Sequence, residues 1–138
     1  MFREAEQERV LTINSHAALL NLAKSWLIRN RSGVIHTNRE INTGWKQMKF
    51  DFSVTTESAL CLYLCRSIFD TSCINRLSEL MAEVDRLYQS GIKQDGLLFG
   101  VELIISDIHN LLSKAAVEQL KGYSWLKHVE KLKIGDSK

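Results

Sequence analysis

The chain has 138 residues, of which 45% are hydrophobic and 25% are charged, and it contains no proline. This length corresponds to one domain of roughly 100 to 200 residues. The composition is close to the average of soluble globular proteins, which argues against a disordered chain and against a membrane protein. Because proline interrupts helices, its absence favours long helices. We therefore predict one helical domain over residues 1–134 and a polar tail over residues 135–138.

The formal net charge is +2 with neutral histidines, which is too small for a protein that binds polyanions with its whole surface. The charges are nevertheless unevenly distributed along the chain. Residues 24–49 contain six basic side chains and one acidic side chain, whereas residues 76–107 contain three basic and six acidic ones. The first of these segments is the candidate for contacts with nucleic acid.

Apolar residues at helical spacing predict a first helix over about residues 4–30, buried on two sides. Turn-forming residues follow, and apolar and polar residues then alternate from Met48 to Val54 with the period of a half-buried strand. We predict a small β-hairpin between Val34 and Val54, with an irregular insertion as the alternative.

The rest of the chain reads as further helices. Residues 57–69 are apolar almost all round, residues 73–90 carry a single apolar stripe, and residues 97–121 form a long apolar pattern that ends at Gly122. A last amphipathic segment covers residues 125–132. The predicted fold class is therefore mainly α, a bundle of about five helices with the hairpin inserted after the first.

The predicted helix over residues 97–121 has a second face on which charged side chains are missing. The residues of this face are Phe99, Leu103, Ser106, Asn110 and Val117. A face toward water normally carries charges, so we expect a second copy of the chain to cover this one. The sequence thus predicts a homodimer with these five residues at its interface.

The three cysteines, Cys61, Cys65 and Cys73, lie in one apolar stretch, where cysteines usually behave as small buried hydrophobic residues in a reducing compartment. This indicates a cytoplasmic protein. A structural zinc site needs a fourth ligand and usually a tight C-x2-C pair, and neither is visible. Phosphate-binding loops, dinucleotide fingerprints and hydrolase motifs are missing as well. We therefore expect no metal and no cofactor.

The run RNRSGVIH over residues 29–36 resembles the Arg-x4-6-His signature of HEPN domains, which are helical bundles that include metal-independent ribonucleases and inactive relatives. The resemblance implies that His36 acts as general base or acid at a ribose 2′-hydroxyl. It also implies that Arg29 or Arg31 holds the scissile phosphate. In that family two subunits typically pair their motifs across a dimer interface.

The sequence leaves three functions open. We favour a non-enzymatic interaction or adaptor domain inside the cell that forms a homodimer and binds an unknown protein partner. The second function is a HEPN-type ribonuclease, or a toxin or antitoxin component, with Arg29, Arg31 and His36 at its site. The third is an RNA- or single-stranded-DNA-binding module that uses Arg31, Arg39, Lys46 and Lys49. No association with a membrane is expected.

Overall fold

The structure is a computed structural model that describes residues 2–42, 47–91 and 99–133, with side chains from residue 16 onward. The elements in chain order are α1 (Phe2–Asn30), β1 (Val34–Asn42), β2 (Gln47–Thr55), β3 (Leu60–Ile68), α2 (Thr71–Gln89), β4 (Phe99–Asp107), α3 (Lys114–Leu120) and β5 (Leu126–Lys131). The five strands form one sheet in the order β1-β2-β3-β4-β5. Strands β1 to β3 are antiparallel, whereas β3, β4 and β5 run parallel. The fold is therefore α/β, and the prediction of a mainly helical bundle is wrong.

The structure confirms three of the predicted elements. The first helix is α1, the helix over residues 73–90 is α2, and the hairpin is formed by β1 and β2. The hairpin belongs to the large sheet and is not an insertion in a bundle. Among its described side chains, α1 buries one stripe, Leu19, Ala23 and Leu27, whereas Leu22 is 37% exposed. The helix is thus not buried on two sides over this part.

The other three predicted helices are wrong. Residues 57–69 contain strand β3, residues 97–121 contain strand β4 and the short helix α3, and residues 125–132 contain strand β5. Strands β3 and β4 lie in the middle of the sheet, and helices cover both of their faces. A strand that is buried on both faces is apolar throughout, so it loses the alternation that distinguishes a strand from a buried helix.

The two faces of the sheet pack against different helices. On one face α1 forms the α1-face core, which consists of Leu19, Ala23, Leu27, Phe52, Val54, Tyr63, Cys65 and Ile104. On the other face α2 and α3 form the larger α2-face core, which includes Leu62, Met81, Leu103 and Trp125. The Trp125 side chain is fully buried, and its Nε1 donates to Asp85 Oδ1 at 2.8 Å. Burial of these apolar side chains is the main source of stability.

Helix α2 connects the parallel strands β3 and β4, since parallel neighbours need a crossover connection. The helix begins after Asp70, whose carboxylate accepts a hydrogen bond from the backbone N–H of Cys73 at 3.1 Å. This N-cap satisfies one of the free N–H groups of the first turn. Within the described ranges, no helix has both the length and the apolar character needed to cross a bilayer.

Candidate functional site

The three residues of the HEPN-like motif occupy different surroundings. Arg29 lies exposed in the last turn of α1. Arg31 follows the end of α1, and its Nε and Nη2 donate to Glu102 Oε1 at 3.1 and 2.8 Å. His36 lies exposed in β1, in register with Ser53 of β2.

The structure does not bring His36 to the two arginines within one chain. Arg31 contacts β4, and two strands separate β4 from β1, so the backbones of these strands are roughly 14 Å apart at about 4.8 Å for each step. Ile35 packs against the α1-face core, and its neighbour His36 therefore faces the opposite side of the sheet. In the part of the chain that the structure describes, no hydrogen bond or ion pair joins His36 to Arg29 or Arg31.

The cations expected to contact nucleic acid are already engaged. Arg31 pairs with Glu102, and the Lys49 ammonium lies 3.6 Å from Glu40 Oε1. Arg39 is half-buried and also has an interaction partner. Lys46 lies outside the described residues. Arg31, Arg39 and Lys49, the members of this set that the structure describes, do not form a continuous surface of unpaired positive charge.

The residues expected at a dimer interface do not share a surface. Phe99, Leu103 and Ser106 lie in β4 with at most 2% of each residue exposed. Asn110 follows β4 in a left-handed conformation with φ of 53°, and Val117 packs from α3 against the α2-face core. The helical face that suggested this interface does not exist, so a homodimer requires another surface.

The structure assembles a different group of ionisable side chains below the end of α1, which we call the Arg31 cluster: Arg31, Cys61, Tyr63 and Glu102. Tyr63 and Glu102 are register partners on the neighbouring strands β3 and β4, and Cys61 lies two residues before Tyr63 on the same face. Glu102 is only 9% exposed, and Arg31 is its ion-pair partner. A buried carboxylate requires such a partner.

Aromatic contacts hold the arginine of this cluster in place. The Arg31 guanidinium carbon lies 4.6 Å from the centre of the Trp26 ring. The Trp26 ring is in turn stacked on His128 of β5, with the ring centres 6.1 Å apart. His128 Nε2 lies 2.7 Å from Glu130 Oε1. The end of α1 is therefore fixed to β4 by an ion pair and to β5 by a ring contact.

The protonation states of the cluster follow from its burial. Burial, together with the Glu102 carboxylate, raises the pKa of Cys61 to about 12. Burial also raises the pKa of Tyr63 well above its usual range. Burial alone would lower the pKa of Arg31, but the hydrogen bond and the charge of Glu102 raise it. At neutral pH the thiol and the phenol are therefore protonated, and a protonated thiol is a poor nucleophile.

A second polar group surrounds Asp51 in β2. The ladder between β2 and β3 ends at the pair Phe52 and Tyr63. Beyond this pair, Asp51 Oδ2 accepts a hydrogen bond from the Cys65 N–H at 2.8 Å and one from Arg66 Nη1 at 3.1 Å. The carboxylate thus takes the place of a backbone carbonyl where the strands separate.

A pocket of about 310 Å³, the Asp51 pocket, opens beside this carboxylate between α1 and the hairpin. It is lined by Leu20, Asn21, Lys24, Thr37, Asn38, Asp51 and Phe52. Sequence reasoning missed both polar groups. The only available signals were Glu102 within an apolar run and Asp51 between two phenylalanines.

No family model, curated protein or solved structure matches this chain. Within the described residues, no group of three or more His, Cys, Asp or Glu side chains is placed to hold a metal ion. Cys61 and Cys65 are free thiols on one strand and not on neighbouring turns of a helix.

Proposed function

We propose that the domain is a non-enzymatic protein-interaction module that associates with a second copy of itself where α1 ends and β1 begins. The observation that carries this proposal is the exposure of two apolar side chains. Ile28 is 64% exposed and Val34 is 59% exposed, the highest values among the large apolar side chains in the described part of the chain. We define the corner surface as Ile28 and Arg29 at the end of α1, Val34 at the start of β1 and Glu57 after β2. Val34 is the neighbour of Ile35 and therefore points away from the α1 face, so the proposed contact extends around the edge of the sheet.

The backbone holds the corner surface on a rigid support. Gly33 has a φ of 135°, and a Cβ atom there would lie 2.7 Å from the Thr55 carbonyl oxygen. Only glycine allows this close approach, which places the start of β1 directly against the end of β2. On the other side, the pair between Arg31 and Glu102 fixes the end of α1. A preorganised surface loses little conformational entropy on association.

The charges of the corner surface suit contact between two identical copies. Arg29 and Glu57 are both exposed and carry opposite charges. In a two-fold contact each surface meets itself, and the contact we propose pairs Arg29 of one copy with Glu57 of the other. Ile28 and Val34 supply the apolar area that drives association.

The edges of the sheet are poorly suited to pairing with another strand. The edge strand β1 is interrupted by Asn38, whose φ of 52° is incompatible with a regular strand. The edge strand β5 has a register shift and exposes Lys127 and Lys131. Such irregularities and lysines protect sheet edges from pairing, which favours the corner surface over extension of the sheet.

Sedimentation velocity of the full chain tests this proposal. We expect a concentration-dependent dimer, and we expect the double variant Ile28→Glu, Val34→Glu to sediment as a monomer with an unchanged circular dichroism spectrum. Ile108→Glu is the matched control, because Ile108 is 54% exposed at the end of β4, outside the corner surface. A wild-type chain that stays monomeric at several hundred micromolar, or equal dissociation of the control, would contradict the proposal.

The ribonuclease and nucleic-acid alternatives have separate tests. His36 lies in β1, away from Arg31, and Arg31 and Lys49 are already paired with carboxylates. These alternatives therefore have less support than self-association. Cleavage of single-stranded RNA in EDTA that disappears in His36→Ala would replace our proposal with the ribonuclease. Salt-dependent RNA binding without cleavage, weakened in Arg39→Gln and Lys49→Gln, would replace it with the binding module.

A further inference from the structure

The Asp51 pocket lies where the neighbouring strands β1 and β2 both switch the face of the sheet to which their apolar side chains point. In β1, Ile35 packs against the α1-face core and Ile41 against the α2-face core. In β2, Phe50 and Phe52 are likewise divided between the two cores. Residues an even number apart point to the same side of a regular strand, so both strands must be irregular between these positions. The irregularity of β1 includes the left-handed Asn38.

The lining of the pocket is polar and carries two separated charges. Lys24 of α1 is exposed and has no hydrogen bond or ion pair within the described residues. Asp51 uses Oδ2 for Cys65 and Arg66, which leaves Oδ1 without a described partner. Lys24 and Asp51 do not pair with each other. The pocket thus offers a cation and a carboxylate oxygen to a ligand.

The remaining lining residues complete the recognition chemistry. The amides of Asn21 and Asn38 and the hydroxyl of Thr37 both donate and accept hydrogen bonds. Leu20 and Phe52 form an apolar wall. A small-molecule site typically combines such a wall with a few polar groups, and about 310 Å³ lies at the lower end of its usual size range.

We propose that the Asp51 pocket binds a small sugar phosphate. The phosphate group pairs with the Lys24 ammonium, and the sugar hydroxyls donate to Asp51 Oδ1 and exchange hydrogen bonds with Asn21, Thr37 and Asn38. A bare anion would leave Asp51 Oδ1 and the lining amides without partners, and an uncharged sugar would leave Lys24 unused. This site is independent of the corner surface.

The test is an NMR titration of the isotope-labelled full chain with ribose 5-phosphate, with ribose and inorganic phosphate as separate arms. Ribose 5-phosphate should shift the side-chain amide signals of Asn21 and Asn38. We expect each of the other two compounds to bind at least about tenfold more weakly, since each lacks one set of contacts. Lys24→Gln should weaken the binding of ribose 5-phosphate about tenfold.

The variants replace exposed side chains, so they should leave the fold intact. Lys24 and Asn21 lie exposed on α1, and Asn21→Ala, which also should weaken binding, places a strong helix former there. Lys114→Gln removes one positive charge from exposed α3 outside the pocket and should bind like the wild type. The proposal is overturned if about 10 mM ribose 5-phosphate shifts neither amide signal, because a ligand at this concentration would reveal even binding with a Kd in the millimolar range. Equal loss of binding in Lys24→Gln and Lys114→Gln, or equally tight binding of inorganic phosphate, also overturns it.

Discussion

The two faces of the sheet are stabilised in different ways. The α2-face core is made of apolar side chains around Leu103 and Trp125, and Trp125 adds one hydrogen bond to Asp85. The α1 face combines a smaller apolar core with the Arg31 cluster, in which Tyr63 and Glu102 are register partners on the neighbouring strands β3 and β4. The α2 face depends mainly on close packing, whereas the α1 face depends on packing and on an ion pair in the middle of the sheet.

This difference gives Arg31 a structural role at the end of α1. A carboxylate on a central strand is tolerated only when a cation reaches it, and Arg31 reaches Glu102 from the first residue after the helix. The α2 side has a buried carboxylate of its own, Asp107 at the end of β4. The backbone N–H groups of Leu111 and Leu112 donate to this carboxylate at 2.8 and 2.7 Å, and the Lys131 ammonium lies 3.8 Å from it. Substitutions on the two faces should therefore differ in size and in their dependence on pH.

The largest effect is expected on the α2 face. Trp125→Ala should lower the free energy of unfolding by about 3 to 5 kcal/mol, because it leaves a large cavity and removes the partner of Asp85. Urea unfolding measures this value. Leu111→Ala is the control, since Leu111 is 37% exposed and its loss should change stability by less than about 1 kcal/mol. Equal effects of both substitutions would show that this face is not closely packed.

A smaller effect is expected on the α1 face. Arg31→Met should lower the free energy of unfolding by about 1 to 3 kcal/mol, because it leaves Glu102 buried without a cation, while the partial exposure of Arg31 moderates the loss. The double variant Arg31→Met, Glu102→Gln should recover more than half of this loss. A double variant as unstable as Arg31→Met would show that the packing of Arg31 on Trp26, and not its charge, is what matters.

The pH dependence of stability should also come from the α1 face. Burial raises the pKa of Cys61 from 9.0 to about 12 and raises those of Cys65 and Tyr63 as well. The folded chain therefore keeps protons that the unfolded chain releases. Above about pH 9 for the two thiols and above about pH 10 for Tyr63, stability should fall by up to about 1.4 kcal/mol per pH unit for each group. Below about pH 9 these three groups should add no pH dependence. Urea unfolding between pH 8 and pH 11, in steps of about one unit, measures this slope.

Two variants assign the slope to particular residues. Cys61→Ala and Cys65→Ala should each reduce the alkaline loss of stability, because each removes one group whose pKa is raised by folding. Cys73→Ala is the matched control, because it removes a free thiol from α2, outside the sheet. An alkaline slope that is the same in all three variants would contradict this assignment.

The smallest effect concerns the face change in the hairpin. Asn38 has a φ of 52°, a conformation that asparagine and glycine adopt more readily than alanine. Asn38→Ala should lower the free energy of unfolding by about 1 kcal/mol, whereas Asn38→Gly should stay within about 0.5 kcal/mol of the wild type. Thermal unfolding followed by circular dichroism distinguishes these outcomes. An alanine variant as stable as the glycine variant would show that the strand relaxes without strain.

The helices α1 and α2 and the hairpin could be predicted because their patterns are local. In α1 and α2 the spacing of the apolar residues reports the one buried side, and in the second strand of the hairpin apolar and polar residues alternate along the sequence. The Arg31 cluster could not be predicted in this way. Arg31 and Glu102 are 71 positions apart, and only the placement of α1 over β4 makes them partners.

The sequence by itself thus determined two of the helices and the first hairpin, since these depend on periodicity within a short stretch of chain. Only the tertiary structure decided that residues 60–68 and 99–107 are strands, because helices on both faces remove the alternation that would reveal them. The same layering placed Leu103 in the core, paired Glu102 with Arg31 and left Ile28 and Val34 exposed. Burial and pairing of this kind depend on which distant segments of the chain come into contact. The packing of helices against the sheet decides these contacts, and no single segment of the sequence does.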